Sequence, residues 1–247
     1  METQAGISVV IPTYRDDAAL VSLLRALSKL DIAQIIISDA ELRPVSQNIL
    51  HHAAPHKPLY LNAPKGRGAQ IAKAIKACTH PYIWILHADS LPHEDSVPAI
   101  QHLLSSRQTA LGCFPITFSQ DSIWLKLFSF VSRFDSCFTT FGDQGYVFRR
   151  SDFEALELDL NAYPLLEDVA LRRALITRGV VRKSHLKITT SARRFEKLGC
   201  LRTQFYNFGI IIRHALGENP RKLYERYYGV PIQTAPKPLP SSTARRA

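Results

Sequence analysis

The amino-acid sequence predicts an α/β fold: a mostly parallel central sheet flanked by helices, followed by a helical C-terminal region. Its 247 residues, 46% of them hydrophobic, are enough to bury the core of one large domain. The first half alternates short apolar runs with amphipathic runs of helical period. Because the apolar runs are continuous rather than alternating with polar residues, they are typical of parallel strands buried on both faces.

Each predicted strand is an apolar run that ends at a turn-forming residue. The first strand, 7–12, ends in Pro12, and the second, 33–39, ends in Asp39. Proline removes a backbone donor and aspartate favours turns, so both residues are expected at strand ends. We predict further strands at 57–61, 82–87, 110–117 and 180–189, and a loop followed by a strand within 142–150.

The predicted helices begin at capping residues and carry one apolar face. Asp16 or Asp17 is placed to cap a helix over 18–30, in which leucines recur at helical spacing. Ser151 and Glu154 have the spacing of a capping box for a short helix. We predict further helices at 44–53, 68–78, 98–104, 164–178 and 195–216. Residues 1–230 are expected to form a single domain, and the Pro- and Ser-rich tail 231–247 to be disordered.

The charge balance favours an anionic partner. Lys and Arg number 31 against 21 Asp and Glu, a net charge of +10. Nucleic acid, anionic lipid and a phosphorylated small molecule all fit this charge. No RNA- or DNA-binding motif is present, so we expect no nucleic-acid partner. The pattern does not predict an oligomeric state.

The remaining composition argues for a reduced, intracellular protein. The four cysteines are widely spread without a CxxC pair, which disfavours a disulfide scaffold or a zinc knuckle. No run of 18 apolar residues predicts a membrane span, and the N-terminus lacks a basic secretory n-region. We therefore expect a cytoplasmic location. Peripheral contact with the inner face of the membrane stays open, because the aromatic segment 123–138 suits either a membrane surface or burial under the site.

In parallel sheets, ligands bind beyond the carboxyl ends of the strands. The loops 13–17, 39–43, 62–68 and 87–90 should therefore share one rim. Asp89 on that rim suits Mg²⁺ or Mn²⁺ as a hard oxygen ligand, or a helix cap. Asp39 suits a ribose or a base, or a turn. His87 is either a second metal ligand or a strand-end histidine, and Arg67 follows a glycine where a helix N-terminus would favour an anion.

The second half of the chain adds three candidate groups, each with a plain structural alternative. Glu167 and Asp168 open a helix, either as partners of the helix dipole or with one as a general base. Asp143 and Gln144 lie between two glycines, where they would bind a polyhydroxylated ligand or fill a turn. The pair Arg193 and Arg194 suits a diphosphate or a solvated basic patch.

In combination these motifs resemble the family 2 glycosyltransferases of GT-A fold, over residues 7–228. The closer resemblance is to the bacterial subgroup of arsenosugar-biosynthesis glycosyltransferases. The stretches that carry it are GRGAQIAKA, ILHADS, GDQGYVFRR, LLEDVALRRAL and TSARR, after a first strand that ends in Pro-Thr-Tyr.

The resemblance implies a nucleotide-diphosphate sugar donor, with a UDP-sugar favoured, and a divalent metal, Mn²⁺ or Mg²⁺. The acceptor would be a small molecule or lipid-linked, and the transfer would invert the anomeric carbon. Asp168 would be the catalytic base with Glu167 beside it, and Asp89 the metal ligand. The remaining roles implied are donor nucleotide for Pro12, Thr13, Tyr14, Asp16, Asp39 and Arg67, sugar or acceptor for Asp143 and Gln144, and diphosphate for Arg193 and Arg194.

The sequence departs from the family pattern in two places on the rim. The loop after Asp39 lacks the usual glycines, and His87 stands where many metal-dependent relatives have the first aspartate of the metal motif. These departures keep open a relative that binds nucleotide sugar without transferring it. A nucleotidyltransferase is disfavoured, because Thr13-Tyr14-Arg15-Asp16 replaces the Gly-rich loop expected after its first strand. A basic protein that binds membrane or nucleic acid is the remaining alternative.

Overall fold

The computed structural model describes residues 6–41, 49, 51–53, 55–193 and 199–231. The strands are β1 Ile7–Thr13, β2 Gln34–Asp39, β3 Leu59–Asn62, β4 Tyr82–Ile85, β5 Ser90–Leu91, β6 Thr109–Cys113, β7 Ile116–Phe118, β8 Val147–Arg149, β9 Val180–Lys183 and β10 Ile188–Thr190. The α-helices are α1 Asp17–Leu27, α2 Arg67–Lys76, α3 Ser96–Ser105, α4 Ile123–Val131, α5 Arg150–Glu154, α6 Glu167–Leu175, α7 Cys200–Ala215 and α8 Pro220–Tyr228. Short 3₁₀ turns occupy Gly142–Gln144 and Leu160–Ala162.

The main sheet confirms the predicted α/β architecture. It has seven strands in the order β3-β2-β1-β4-β8-β6-β9, and only β8 runs antiparallel to its neighbours. The central strands β1, β2 and β4 alternate their side chains between two buried faces, as continuous apolar strands must. Helices α1 and α3 cover one face, and α2 and α6 cover the other.

Two predicted strands each break into two, because the chain leaves the main sheet part-way along. The segment predicted as 110–117 divides at Phe114 and Pro115 into β6 and β7. The segment predicted as 180–189 divides into β9 and β10. The later halves, β7 and β10, pair with each other in a second sheet of order β5-β10-β7. It lies just past the rim, because β5 directly follows Asp89 in the chain.

The helices depart from prediction at their ends. Asp16 is the N-cap of α1 but makes no side-chain cap hydrogen bond. Ser151 lies inside α5, whose N-cap is Arg149, so the predicted capping box is wrong; Glu154 instead pairs with Arg150 at 3.2 Å. The predicted helix 44–53, the start of the one at 195–216 and the tail after residue 231 lie wholly or largely outside the described residues.

The helical C-terminal region packs on the segment that precedes α6. Helix α8, which we did not predict, buries Leu223 and Tyr224 against Leu165 and Leu166, together with Ile210 of α7. The region therefore supports the turn that leads into Glu167 and Asp168.

No helix in the described part of the chain has both the length and the apolar character needed to cross a bilayer. Cys78, Cys113 and Cys137 are free thiols.

Candidate active site

The carboxyl ends of β1, β2, β3 and β4 meet at one edge of the main sheet. Thr13 is in register with Asp39, and Asp39 with Asn62. This register brings the loops after these strands together, as predicted for the rim. The chain after β4 continues through His87 to Asp89 at the same edge.

A buried glutamine ties two of these strand ends together. Gln70 on α2 is 3% exposed, and its Nε2 donates to the backbone oxygens of Thr13 (2.6 Å) and Ser38 (2.8 Å). It satisfies carbonyls that would otherwise be buried without a partner at the point where β1 and β2 diverge. We did not predict this role. The signal in the sequence was a single amide on the otherwise apolar inner face of α2.

Cations surround an exposed tyrosine on the β1 side of the rim. Tyr14 is 41% exposed, with Lys65 Nζ 4.8 Å and the Arg15 guanidinium 5.3 Å from its ring centroid. Arg15 has a φ of 52° and forms an ion pair with Glu41. Pro12 and Thr13 are buried in β1, so only their backbone lines the rim. The exposed ring among positive charges offers a stacking surface for a base beside a place for phosphate.

Asp39 takes a local role in the structure. It is 2% exposed, one carboxylate oxygen accepts from the backbone N–H of Glu41 at 3.0 Å, and the other accepts from the Tyr60 hydroxyl. This is the turn role that we gave as the alternative to nucleotide binding. The geometry thus favours Asp39 as a residue that shapes the loop after β2.

Asp16 and Arg193 join the loop after β1 to the loop after β10. Their bidentate pair has Nη2–Oδ2 and Nη1–Oδ1 distances of 2.8 and 3.3 Å. The hydrogen bond to Asp16 raises the pKa of Arg193, so this guanidinium stays charged. Arg193 is predicted to bind diphosphate, and here it lies across the opening of the rim with about half of its side chain exposed. Arg194 lies outside the described residues.

The two acids that open α6 have different surroundings. Glu167 has 1% of its side chain exposed, with Oε1 3.0 Å from Arg67 Nε, and burial raises its pKa to about 7 against the pull of that cation. Asp168 is half-buried, and it accepts from the backbone N–H groups of Gly142 (2.8 Å) and Val169 (2.9 Å). Two backbone donors orient the Asp168 carboxylate, whereas the Glu167 carboxylate points inward to Arg67.

The turn before α6 is held in an unusual backbone conformation. Leu166 has a φ of 63°, in the left-handed region that a leucine rarely adopts. Such a residue costs about 1–3 kcal/mol and persists only where its surroundings fix it. Its packing against α7 and α8 supplies that support. The C-terminal helices thereby set the direction in which the two acids enter the site.

The loop before β8 brings a glycine between His87 and Asp168. A Cβ on Gly142 would lie 3.0 Å from Asp168 Cβ and 3.2 Å from His87 Nε2, so the imidazole and the carboxylate flank its backbone closely. Burial lowers the pKa of His87 to about 4, and the Arg67 charge acts in the same direction. The imidazole is therefore neutral at physiological pH and adds no charge beside Asp168.

Of the two polar residues in this loop, only Asp143 stays available to a ligand. Burial raises its pKa to about 6, with the charges of Asp168 and Asp89 adding to the effect, and its Oδ1 has no hydrogen-bond partner. Gln144 is 1% exposed; its amide donates to the backbone oxygen of Thr139 and its carbonyl accepts from Lys183. The predicted contact of the Gln144 side chain with sugar or acceptor does not fit this geometry, because both of its ends are already bonded.

Comparison with known families places the chain in one of them. The family model for Glycosyl transferase family 2 matches residues 8–152, more than half of the chain. The chain belongs to this family. A search of curated proteins found no match.

Solved structures of family-2-like fold resemble the whole arrangement at low identity. S. aureus TarS 1–349 in complex with UDP-GlcNAc matches with a TM-score of 0.59 and 12% identity, over 75% of this chain and 58% of that one. The mannosyltransferase PcManGT of Pyrobaculum calidifontis, in complex with GDP-Man and Mn²⁺, gives 0.59 and 13%, over 85% and 65%. Glucosyl-3-phosphoglycerate synthase of Mycobacterium tuberculosis, with Mn²⁺ and UDP, gives 0.55 and 14%, over 83% and 78%.

These matches establish a fold of GT-A type. Because the sequence identities are 12–14%, these matches are evidence for the fold only. The chain spans less than two thirds of the length of the TarS fragment and of PcManGT.

Two carboxylates in the site are placed where they could contribute to binding a divalent cation. Among the described residues, no group of three His, Cys, Asp or Glu side chains is placed to hold a metal. Asp89, whose pKa burial raises, and Asp143 with its orphaned oxygen carry charges that repel each other across the site. Mg²⁺-type ions are commonly held by one or two carboxylates plus substrate phosphates. Asp89 and Asp143 supply the two carboxylates of such a ligand set.

Proposed function

We propose that this family 2 chain transfers a sugar from a nucleoside-diphosphate donor to an acceptor hydroxyl, with inversion and with the help of a divalent cation. One observation carries the proposal: Asp168, oriented by two backbone donors, faces the same rim as Asp89 and Asp143. A base and a diphosphate-binding set within one cleft is what a single in-line displacement requires.

The donor side of the site is built for a nucleoside diphosphate. Tyr14 offers its ring to the base with Lys65 beside it, and Arg67 and Arg193 supply positive charge on the side of Asp89. We propose a UDP-sugar as donor. The complexes of similar structures with UDP-GlcNAc, UDP and GDP-Man support the ligand class and leave the sugar open.

Asp89 is the proposed metal ligand, with Asp143 as the second carboxylate. A divalent cation held by these two carboxylates would supply positive charge for the departing diphosphate. Arg193 is placed to add to that positive charge from the other side of the opening, and its pair with Asp16 keeps it in position.

Asp168 is the proposed catalytic base. It takes the proton of the acceptor hydroxyl while the acceptor oxygen bonds to the anomeric carbon and the bond to the diphosphate oxygen breaks. The N–H groups of Gly142 and Val169 hold the carboxylate ready to accept that proton. Glu167 is the proposed positioning residue, because it touches Arg67 inside the protein rather than the opening. His87, which is neutral, lies near the Asp168 carboxylate and adds no second charge there.

The acceptor is proposed from the sequence motifs alone. The stretches GDQG, LLEDV and TSARR keep the arsenosugar-biosynthesis subgroup as the closer resemblance. A small hydroxylated molecule is the acceptor class that follows from it.

The test is UDP release from UDP-sugars, with glycerol as a surrogate acceptor, by wild-type protein and by Asp168→Asn. We expect the variant to lose about 10²–10⁴ in rate, because Asn preserves the hydrogen bonds but takes no proton. UDP affinity should stay unchanged. The matched control is Asp31→Asn, an exposed aspartate that precedes β2 at the opposite end of the sheet. A variant as fast as wild type would refute Asp168 as base. UDP binding without release by wild-type protein would establish the non-catalytic relative instead.

A further inference from the structure

Helix α4 and the loop after it carry an exposed apolar stripe. Ile123, Leu127, Phe130 and Phe134 are 75%, 47%, 53% and 58% exposed. Their spacing places them along one side of the helix and its continuation. The opposite side contributes Leu125 to the interior. Helix α4 and the loop after it therefore present a row of large apolar side chains to the surface, and the helix buries only Leu125.

Helix α7 carries a second stripe of the same kind. Phe205, Phe208, Ile212 and Leu216 are 74%, 46%, 40% and 82% exposed. They recur at the spacing of one helix side, and the other side buries Ile210 against α8. Phe138, which is 51% exposed, joins the two stripes, since its ring centroid lies 5.3 Å from that of Phe208. We call the eight residues of the stripes together with Phe138 the α4–α7 face.

The two helical segments that carry the stripes of the α4–α7 face have cations and no acids. Neither 122–134 nor 199–217 contains an Asp or a Glu. The cations of these segments are Lys126, Arg133, Arg202 and Arg213, all of them exposed. The acids next to these segments are Asp121, Asp135 and Glu218, which pair with Lys126, Arg172 and Arg213. The stripes are therefore bordered by positive charge.

An open groove beside α4 adds to this border. It is lined by Thr117, Ser129 and three cations, Lys126, Arg133 and Lys187, with Asp121 at its edge. Arg133 also lies over the Phe130 ring, 5.8 Å from its centroid. A cationic groove that opens next to exposed aromatics suits an anionic headgroup whose acyl chains continue along the stripe.

We propose that the α4–α7 face docks on the surface of an anionic lipid bilayer. Aromatic and aliphatic side chains with interspersed Lys and Arg are the composition that binds at the headgroup boundary. A second copy of the chain is a poorer occupant, because a symmetric contact would bring the two sets of cations together. The face is also close in sequence to the candidate active site, since Phe138 lies four residues before Gly142.

The test is flotation of the full chain with vesicles of phosphatidylcholine alone or mixed with phosphatidylglycerol. We expect binding to the anionic vesicles, weakened by salt and weak on neutral ones. The variant Phe130→Ser/Phe205→Ser/Leu216→Ser should reduce binding about tenfold or more. Arg133→Glu/Lys187→Glu should remove the preference for anionic lipid.

The matched control removes three exposed apolar side chains outside the face, Leu59→Ser/Ile176→Ser/Val180→Ser. It should bind vesicles as wild type does, and all variants should keep the wild-type Tm. No binding of wild-type protein to anionic vesicles, or equal loss in the control, would overturn the proposal. A concentration-dependent dimer that the face variant dissociates, without vesicle binding, would assign the face to a second copy. Because flotation measures binding alone, its result is independent of sugar transfer.

Discussion

Glu167 and Asp168 are neighbours in the sequence, and the fold gives their carboxylates different surroundings. The sequence identified both as candidate acids, but it could not show which of them is oriented as a base and which is buried against a cation. This difference depends on Arg67 and Gly142, which approach from distant parts of the chain. The same holds for Asp39 and Gln144, whose polar ends are taken by Tyr60 and Lys183. Local sequence shows which side chains have the right chemistry, whereas tertiary contacts decide which of them remain free.

The buried Glu167 makes the stability of the protein depend on pH. Its folded pKa of about 7 lies above the ordinary 4.5, so the folded state holds more protons than the unfolded chain between these pH values. The contribution of Glu167 to the free energy of unfolding therefore falls as pH rises from about 4.5 to about 7. We expect wild-type protein to lose about 3 kcal/mol relative to Glu167→Gln over this range.

Chemical denaturation of both proteins between pH 5 and pH 8 measures this difference. The variant serves as the reference for all other titrating groups, including His87 and Asp143. A difference in free energy that does not change with pH would contradict a buried, proton-binding Glu167.

At the scale of elements, glycine positions determine how closely α2 and α6 reach the site. A Cβ on Gly68 would lie 2.2 Å from the backbone oxygen of Leu160 and 2.3 Å from that of Tyr163. The 3₁₀ turn Leu160–Ala162 therefore packs directly against the backbone of α2. This contact keeps Arg67 within reach of Glu167.

Replacing Gly68 by Ala should destabilise the fold by about 3 kcal/mol or more, because backbone atoms on both sides must move. Gly209 in α7 has nothing within 4 Å of its Cβ position. Gly209→Ala is the matched control and should stabilise the protein by about 0.5–1 kcal/mol through helix propensity. Thermal unfolding of the two variants provides the comparison, and equal effects would contradict the close packing of α2.

The order of strands and helices in the first half was predictable because each apolar run is long and continuous. Helix α8 was not predicted, since it is mostly charged residues and tyrosines and Leu223 is its one aliphatic residue. Its ends did carry signals: Asn219 caps it through the N–H of Arg221, Pro220 begins it, and Gly229 ends it with a φ of 69°. The breaks that divide two predicted strands follow from the second sheet, which local sequence does not reveal.

At the scale of the whole molecule, the net charge of +10 and the cations at the rim both fit the proposed nucleoside-diphosphate donor. The cations at the rim come from two places in the chain: Lys65 and Arg67 follow β3, and Arg193 follows β10. Lys65 and Arg67 reach the rim because β3 ends at the same edge of the main sheet as β1 and β2, which the topology predicts. Arg193 comes from the second sheet and joins the rim through its pair with Asp16. The α4–α7 face uses other cations on another surface, so the net charge alone could not distinguish the two partners.

The central claim, a donor site at the rim that uses Asp89, is tested most directly by calorimetric titration of UDP into the full chain, with and without Mn²⁺. Binding should be tighter with Mn²⁺, and Asp89→Ala should lose about tenfold or more in that affinity. Asp95→Ala, an exposed aspartate in the loop after β5, should bind as wild type does. Absence of UDP binding by the folded wild-type protein, or equal affinity in Asp89→Ala, would contradict the account.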